Sequence, residues 1–327
     1  MIRALIPVAA LLTSVALLLV GNGLQGTLLP VRGQIADFGA VALGVLGSAY
    51  YAGFVVGCLV GPWVVARAGH IRTFAAMVSV ACSAVLAHAL IVSPLPWWLI
   101  RFVSGICFAV LYMVVESWLN DKASNETRGR VFAVYLVINM AMIAAGQLLL
   151  LVDETGGIVL FLAASILVSL AAVPVALTRA EAPPPITAAR LDLRRLFRTS
   201  PVGVVGCFVV GLTNGAFWAL GPVFADASAP EGWGAEAGVA TGYVAVFMTV
   251  AVAAGALGQW PLGLVSDLMD RRLVLAAAAG VAALAGAALV AAGMLLPGLV
   301  LPIAFGLGLA TFPIYSLAVA HVNDHVA

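Results

Sequence analysis

Two stretches of one apolar chain carry the same polar insertion. Residues 21–30 read GNGLQGTLLP and residues 213–222 read TNGAFWALGP. Asn22-Gly23 is separated by six residues from Pro30, and Asn214-Gly215 by six residues from Pro222. An amide inside a hydrophobic run can hydrogen-bond a polar solute, or it can join one helix to the next. Both roles turn it away from lipid, and the residues alone leave both open. Gln25 follows Asn22 by three positions and Trp218 follows Asn214 by four, so each lies on about the same helical face as its Asn. Arg101 sits in another apolar run, just after the aromatic anchor Pro96-Trp97-Trp98. A guanidinium at a helix centre costs about 2.5–3.5 kcal/mol, and less near the interface. Arg101 could therefore snorkel outward or serve a polar interior. Asn139, Gln147 and the tyrosines Tyr112 and Tyr315 add to this set, with ordinary packing the alternative for Trp218 and the tyrosines. Together they offer amides, one guanidinium and aromatic rings, with no carboxylate at mid-depth. That is recognition chemistry. His88 stands alone near a helix end, no nucleophile–base pair is evident, and no nucleotide-binding motif occurs. The residues thus argue against an enzyme and against ATP as the driving force.

The elements that position these residues follow from composition. The chain has 327 residues, 64% hydrophobic and only 9% charged, with a mean hydropathy of +1.15. Soluble domains carry about 25% charged residues. Lipid must face most of this surface, so the chain reads as an all-α polytopic membrane protein. Net charge of +1 predicts no nucleic-acid partner. Cys58, Cys82, Cys107 and Cys207 all fall in apolar runs without C-x-x-C spacing, and read as small buried hydrophobes. No metal or cofactor is expected. Ten runs reach the length of about 20 apolar residues that a span needs: 4–29, 41–66, 72–92, 95–118, 130–152, 156–178, 201–224, 239–265, 272–293 and 297–320. The first is expected to be an uncleaved span and not a signal peptide, because it is too long and lacks a cleavage site before Pro30. Strand alternation is absent, which argues against a β-barrel.

Basic residues set the orientation. The even connections hold Arg67 and Arg72; Lys122, Arg128 and Arg130; Arg179, Arg190, Arg194, Arg195 and Arg198; and Arg271 and Arg272. Arg3 lies on the same side, and Arg32 is the only basic residue of the odd connections. The N-terminus is expected in the cytoplasm. Residues 179–200, with Pro183-Pro184-Pro185 and an Arg-rich stretch suited to the anionic inner leaflet, form the expected cytoplasmic linker. It separates an N-terminal half, 1–178, from a C-terminal half, 201–327.

The halves repeat one another. Gly105, Tyr112, Asn120 and Asp121 of the fourth span match Gly308, Tyr315, Asn323 and Asp324 of the tenth at one constant offset. Gly53, Gly57 and Gly61 of the second span have Gly255, Gln259 and Gly263 in the eighth, and such glycines let helices approach closely. A repeat that keeps its orientation needs an even number of spans per half. Six precede the linker and four follow it, so two further spans are expected in a complete second half; a natural ten-span protein is the alternative. Parallel six-helix halves describe the major facilitator architecture. The sequence resembles that superfamily over its whole length. ESWLN at 116–120, AGHIR at 68–72 and YSLAVAHVND at 315–324 resemble its YcaD-like branch.

The resemblance implies a secondary active transporter that moves a small organic solute across a bacterial inner membrane by alternating access, with proton coupling an expectation of the family. A transport-inactive relative serving as receptor or scaffold is the alternative. It implies a central cavity, with Asn22, Gln25, Arg101, Tyr112, Asn139, Asn214, Trp218 and Tyr315 as candidate lining, and a monomer in lipid. Arg101-x3-Gly105 resembles a fourth-span motif whose Arg faces the cavity, although Ala304 holds the matching place in the second half. Gly146 is followed by Gln147, not by the Pro of many drug antiporters. The family's cytoplasmic loop motif, Gly-x3-Asp-Arg-x-Gly-Arg-Arg, is echoed by Gly263 to Arg272, with Leu268 and Asp270 in place of its first Arg and second Gly and with Asp267, Arg271 and Arg272 as gate candidates. The first half keeps Arg67, Gly69 and Arg72 but has Ala66 where the motif has Asp. Glu116 is expected to replace that acid by pairing with Arg67 or Arg72; the alternative is a carboxylate that only caps or solvates in the headgroup region.

Overall fold

The structure, a computed structural model, describes residues 8–124, 127–178, 183, 193–233 and 239–326. The chain divides into two compact units, Met1–Ala189 and Arg190–Ala327, so the boundary falls within the 179–200 segment. Most of that segment lies outside the described residues, as do Arg3, Arg179 and Arg190.

In the first unit the spans are Ala9–Ile35, Ala40–Ala68, His70–Leu90, Pro94–Lys122 and Arg128–Leu148, followed by a sixth, Val159–Leu170, that continues as Ala172–Leu177. In the second unit a short helix, Leu193–Thr199, leads into Pro201–Ala227, Thr241–Leu268, Arg271–Leu295 and Val300–Val326. Among the described residues, 10 helices are long and apolar enough to cross a membrane, and no element is a strand. Large apolar side chains such as Leu59, Leu99 and Leu284 remain exposed on them, as lipid-facing residues do. The first span runs on to Ile35, past its expected end at 29, because Pro30 stays inside the helix. Pro222 likewise stays inside the seventh span. Proline removes one backbone bond, a loss that neighbouring packing in a membrane bundle absorbs.

Glycines decide which helices meet. A Cβ at Gly53 would overlap the carbonyl of Phe102, and one at Gly105 the carbonyl of Tyr50, so the second and fourth spans cross backbone to backbone. Gly23 meets Ile143 and Gly146 meets Val20 and Leu24, which brings the first span onto the fifth. In the second unit Gly308 meets Ala251 and Gly258 meets Leu309, a second copy of the fourth-to-second crossing. One shift therefore carries Tyr50 onto Ala251 and Gly57 onto Gly258. The expected trio Gly255, Gln259 and Gly263 is corrected: Gly255 packs on Phe312, Gly258 carries the crossing, and Gly263 has nothing near it.

Candidate solute centre and inner gate

Arg101 lies about two helical turns inside the fourth span and is partly exposed. It does not snorkel. Its Nη1 donates to Gln25 Oε1 of the first span at 3.3 Å. Its Cζ lies 4.3 Å from the ring centroid of Tyr50 on the second span, within the range of about 6 Å for a cation–π contact. The Asn22 side chain in turn lies beside the Tyr50 hydroxyl. Three helices thus deliver Asn22, Gln25, Tyr50 and Arg101 to one place. The reason is local. Gly105, one turn beyond Arg101, rests on the Tyr50 backbone, which sets the phenol ring beneath the guanidinium. Pro96-Trp97-Trp98 is not the lipid-facing anchor that its composition suggests. Trp97 is fully buried and donates to the carbonyls of His88 and Ile91, while Trp98 donates to Ala42. The Trp97 indole satisfies carbonyls left free at the end of the third span, and the Trp98 indole adds a bond to a carbonyl in the first turn of the second. His88 is buried beside Trp97, at 5.5 Å between ring centroids, with Nδ1 on the Ala84 carbonyl at 2.7 Å.

A second polar string runs inside the same unit. The hydroxyls of Tyr112 and Tyr135 both lie beside the Asn139 side chain. Tyr135, buried on the fifth span, donates to Glu116 Oε1 at 3.0 Å. Phe54 joins this string to the first cluster, with ring centroids 6.1 Å from Tyr112 and 6.2 Å from Tyr50. The expected pairing of Glu116 with Arg67 or Arg72 is overturned, since no ion pair joins them among the described residues. Glu116 points at the fifth span, whereas Arg67 is exposed with its Cζ 5.7 Å from the Trp63 ring centroid, and Arg72 is exposed.

The second unit lacks the polar cluster. Asn214 repeats Asn22, and its buried Oδ1 has no hydrogen-bond partner among the described residues. The place of Gln25 is taken by Phe217, that of Arg101 by Ala304 and that of Tyr50 by Ala251. Trp218 instead packs with Phe217 and Phe312, at 5.7 and 6.2 Å between centroids, and Phe217 stacks on Phe247. The guanidinium, its aromatic floor and its amide are all absent from the repeat, which marks them as one device. Tyr315 is 56% exposed, unlike its counterpart Tyr112 on Asn139.

At the end of each unit that carries the loop motif, the chemistry differs again. Arg271 bridges Asp267 at 3.0 Å and Asp324 of the tenth span at 2.8 Å. Asp270 caps the ninth span by accepting from the Arg272 amide. These residues, with Ser266, Met269 and His321, line a cavity of about 380 Å³. The shift that relates Tyr50 to Ala251 carries Gly69 onto Asp270 and His70 onto Arg271. Gly69, at φ +80, closes the second span and opens the third. His70 Nε2 and Ser117 Oγ are 2.7 Å apart, and the imidazole edges onto Trp118. The first unit thus answers Ala66 by replacing the whole ionic bridge with a His70–Ser117 hydrogen bond. Sequence reasoning missed Tyr50, His70, Ser117 and Tyr135; His70 was visible within AGHIR, but a lone histidine beside a basic loop gives no sign of a partner.

Residues 11–327 match the family model of the Major Facilitator Superfamily. An "Uncharacterized MFS-type transporter YcaD" of Escherichia coli is 28% identical over 323 residues, covering 98% of this chain and 81% of the relative. The YcaD protein of Escherichia fergusonii is 28% identical over 325 residues with the same coverage. A solved structure of a mutant of the nucleoside transporter NupG superposes with a TM-score of 0.76 at 13% identity, over 95% of this chain and 82% of that one. The Escherichia coli fucose:proton symporter FucP does so with a TM-score of 0.61 at 18% identity, over 97% and 84%. The chain belongs to the major facilitator superfamily and is a multi-pass membrane transporter, not an enzyme.

Proposed function

We propose that the protein is a secondary active transporter that moves a small organic solute across a bacterial inner membrane by alternating access. In this reading it works as a monomer, with its N-terminus and the 179–200 linker in the cytoplasm. The observation that carries the reading is the centre built on Arg101, where three spans bring an amide, a phenol ring and a guanidinium together inside one unit. A scaffold gains nothing from holding a cation there, whereas a transporter needs polar groups at depth that a solute can exchange against water.

The coupling ion in this reading is the proton, and Glu116 is its carrier. The charged and titratable groups facing Glu116 are few: Tyr135 donates to it from the fifth span, Tyr112 lies on its own span and Cys58 on the second. A carboxylate with one neutral donor and no cationic partner among the described residues can lose its charge by protonation without breaking an ion pair. The FucP structure is of a proton symporter by its own description, which makes proton coupling compatible with the fold. The test is solute uptake into proteoliposomes under an imposed pH gradient, read by mass spectrometry of the vesicle contents. Wild type is expected to accumulate at least one solute, and Arg101→Ala none, with insertion intact. A wild type that moves no member of a broad metabolite mixture contradicts the transporter reading.

A further inference from the structure

We infer that Arg101 and Gln25 form a recognition centre for a singly charged organic anion, a monocarboxylate. The inference rests on the transporter reading and names the solute class that its site would take. Arg101 forms no ion pair among the described residues. Glu116 is engaged by Tyr135, and Asp121 pairs with Lys122 at 3.2 Å. A guanidinium inside a membrane bundle ordinarily finds an acid or a run of carbonyls. Here it has one amide oxygen and an aromatic face. Of its N–H donors, the one on Nη1 goes to Gln25 Oε1, and no other Arg101 hydrogen bond is formed among the described residues, which leaves donors for a ligand.

Gln25 points the same way. It is 1% exposed, and its Oε1 is fixed by accepting from Arg101. That orientation commits Nε2 as a donor, and Nε2 is buried with no hydrogen-bond partner among the described residues. Adjacent donors without acceptors, one of them cationic, suit a ligand group that only accepts. A carboxylate meets that condition and takes Arg bidentately. One guanidinium with no second cation beside it favours one negative charge over the dianion of a phosphate ester. A cationic solute would meet like charge, and a neutral one would leave the guanidinium uncompensated.

The test uses the purified full chain in detergent and matched probes: acetate, hexanoate, lactate, benzoate and phenylpropionate, the primary amide of each, and phenyl phosphate. Thermal stabilisation is titrated for wild type, Arg101→Gln, Arg101→Lys and Gln25→Met. At least one carboxylate is expected to stabilise wild type, its amide not to, and phenyl phosphate to be weaker. Arg101→Gln should weaken the effect by about tenfold or more, the scale of a lost charge-assisted bond. Arg101→Lys should fall between, because Lys lacks the planar fork. Gln25→Met keeps the cation and should still weaken binding, which preserves the test if Arg101→Gln folds poorly. The assignment is overturned if no carboxylate stabilises wild type, if the amides act as well as the acids, or if folded Arg101→Gln binds unchanged. If wild-type vesicles then transport a neutral solute, only the anion class has failed. If they transport nothing, the transporter reading has failed with it.

Discussion

Arg101 owes its position to its neighbours, and substitutions beside it separate their contributions. Tyr50→Phe keeps the ring under the guanidinium and removes only the hydroxyl that meets Asn22. Transport should fall by no more than about tenfold, since one neutral hydrogen bond contributes about 0.5–1.5 kcal/mol. Tyr50→Leu also removes the cation–π contact, and initial uptake rates should drop further. Glu116→Gln should abolish accumulation driven by a pH gradient while leaving solute exchange at equal pH measurable. Adding Ala66→Asp should not restore accumulation, because Glu116 meets Tyr135 and not the arginines. At this scale the sequence showed Asn22, Gln25, Arg101 and Asn139, because a polar side chain in an apolar run must find a partner. It hid Tyr50 and Tyr135, since a tyrosine in such a run reads as packing. It misdirected Glu116, because matching of charge selects an arginine and passes over a phenol.

Helices meet here through glycine, so the element scale is tested by adding atoms. Gly105→Leu or Gly53→Leu would drive a side chain into the opposing backbone at the crossing that sets Tyr50 beneath Arg101. Overpacking of this kind costs about 1–3 kcal/mol, and thermal unfolding in detergent should register it together with weaker solute binding. Gly263→Ala and Gly306→Ala, where nothing lies within 4 Å, should leave the unfolding midpoint nearly unchanged. Similar losses in both pairs would contradict the crossing. The four-residue glycine spacing of the second span was legible as a packing face. Its counterpart in the eighth was not, because the crossing uses Gly258, one position away from Gln259. Spacing identifies a face, while register depends on which residue the partner backbone reaches. The same limit explains the first helix, where Pro30 reads as a stop but is carried within a packed bundle.

At the scale of the molecule, hydropathy gave the span count, because lipid leaves a mark on every span, and the repeated motifs with the 179–200 segment pointed to two halves, where the contacts divide the chain into two units. The divergence between repeats was partly visible as Ala304 and Ala66, yet its meaning required contacts. One unit holds a polar centre and a His70–Ser117 link, and the other holds an aromatic cluster and the Arg271 bridge. Arg271→Gln removes both bridges of the second unit. Exposed ion pairs contribute about 0–1 kcal/mol each, so the unfolding midpoint should move little while the balance of transport states shifts, read as altered cysteine accessibility of Cys207 or a changed uptake rate. The central claim, solute transport through a centre built on Arg101, is tested most directly by vesicle accumulation. Proteoliposomes of wild type and Arg101→Gln, matched for inserted protein, are given a mixture of organic acids and a pH gradient, and their contents are compared by mass spectrometry. The account predicts at least one monocarboxylate enriched in wild-type vesicles, lost on adding a protonophore and absent with Arg101→Gln. Equal contents in the two sets of vesicles would contradict it.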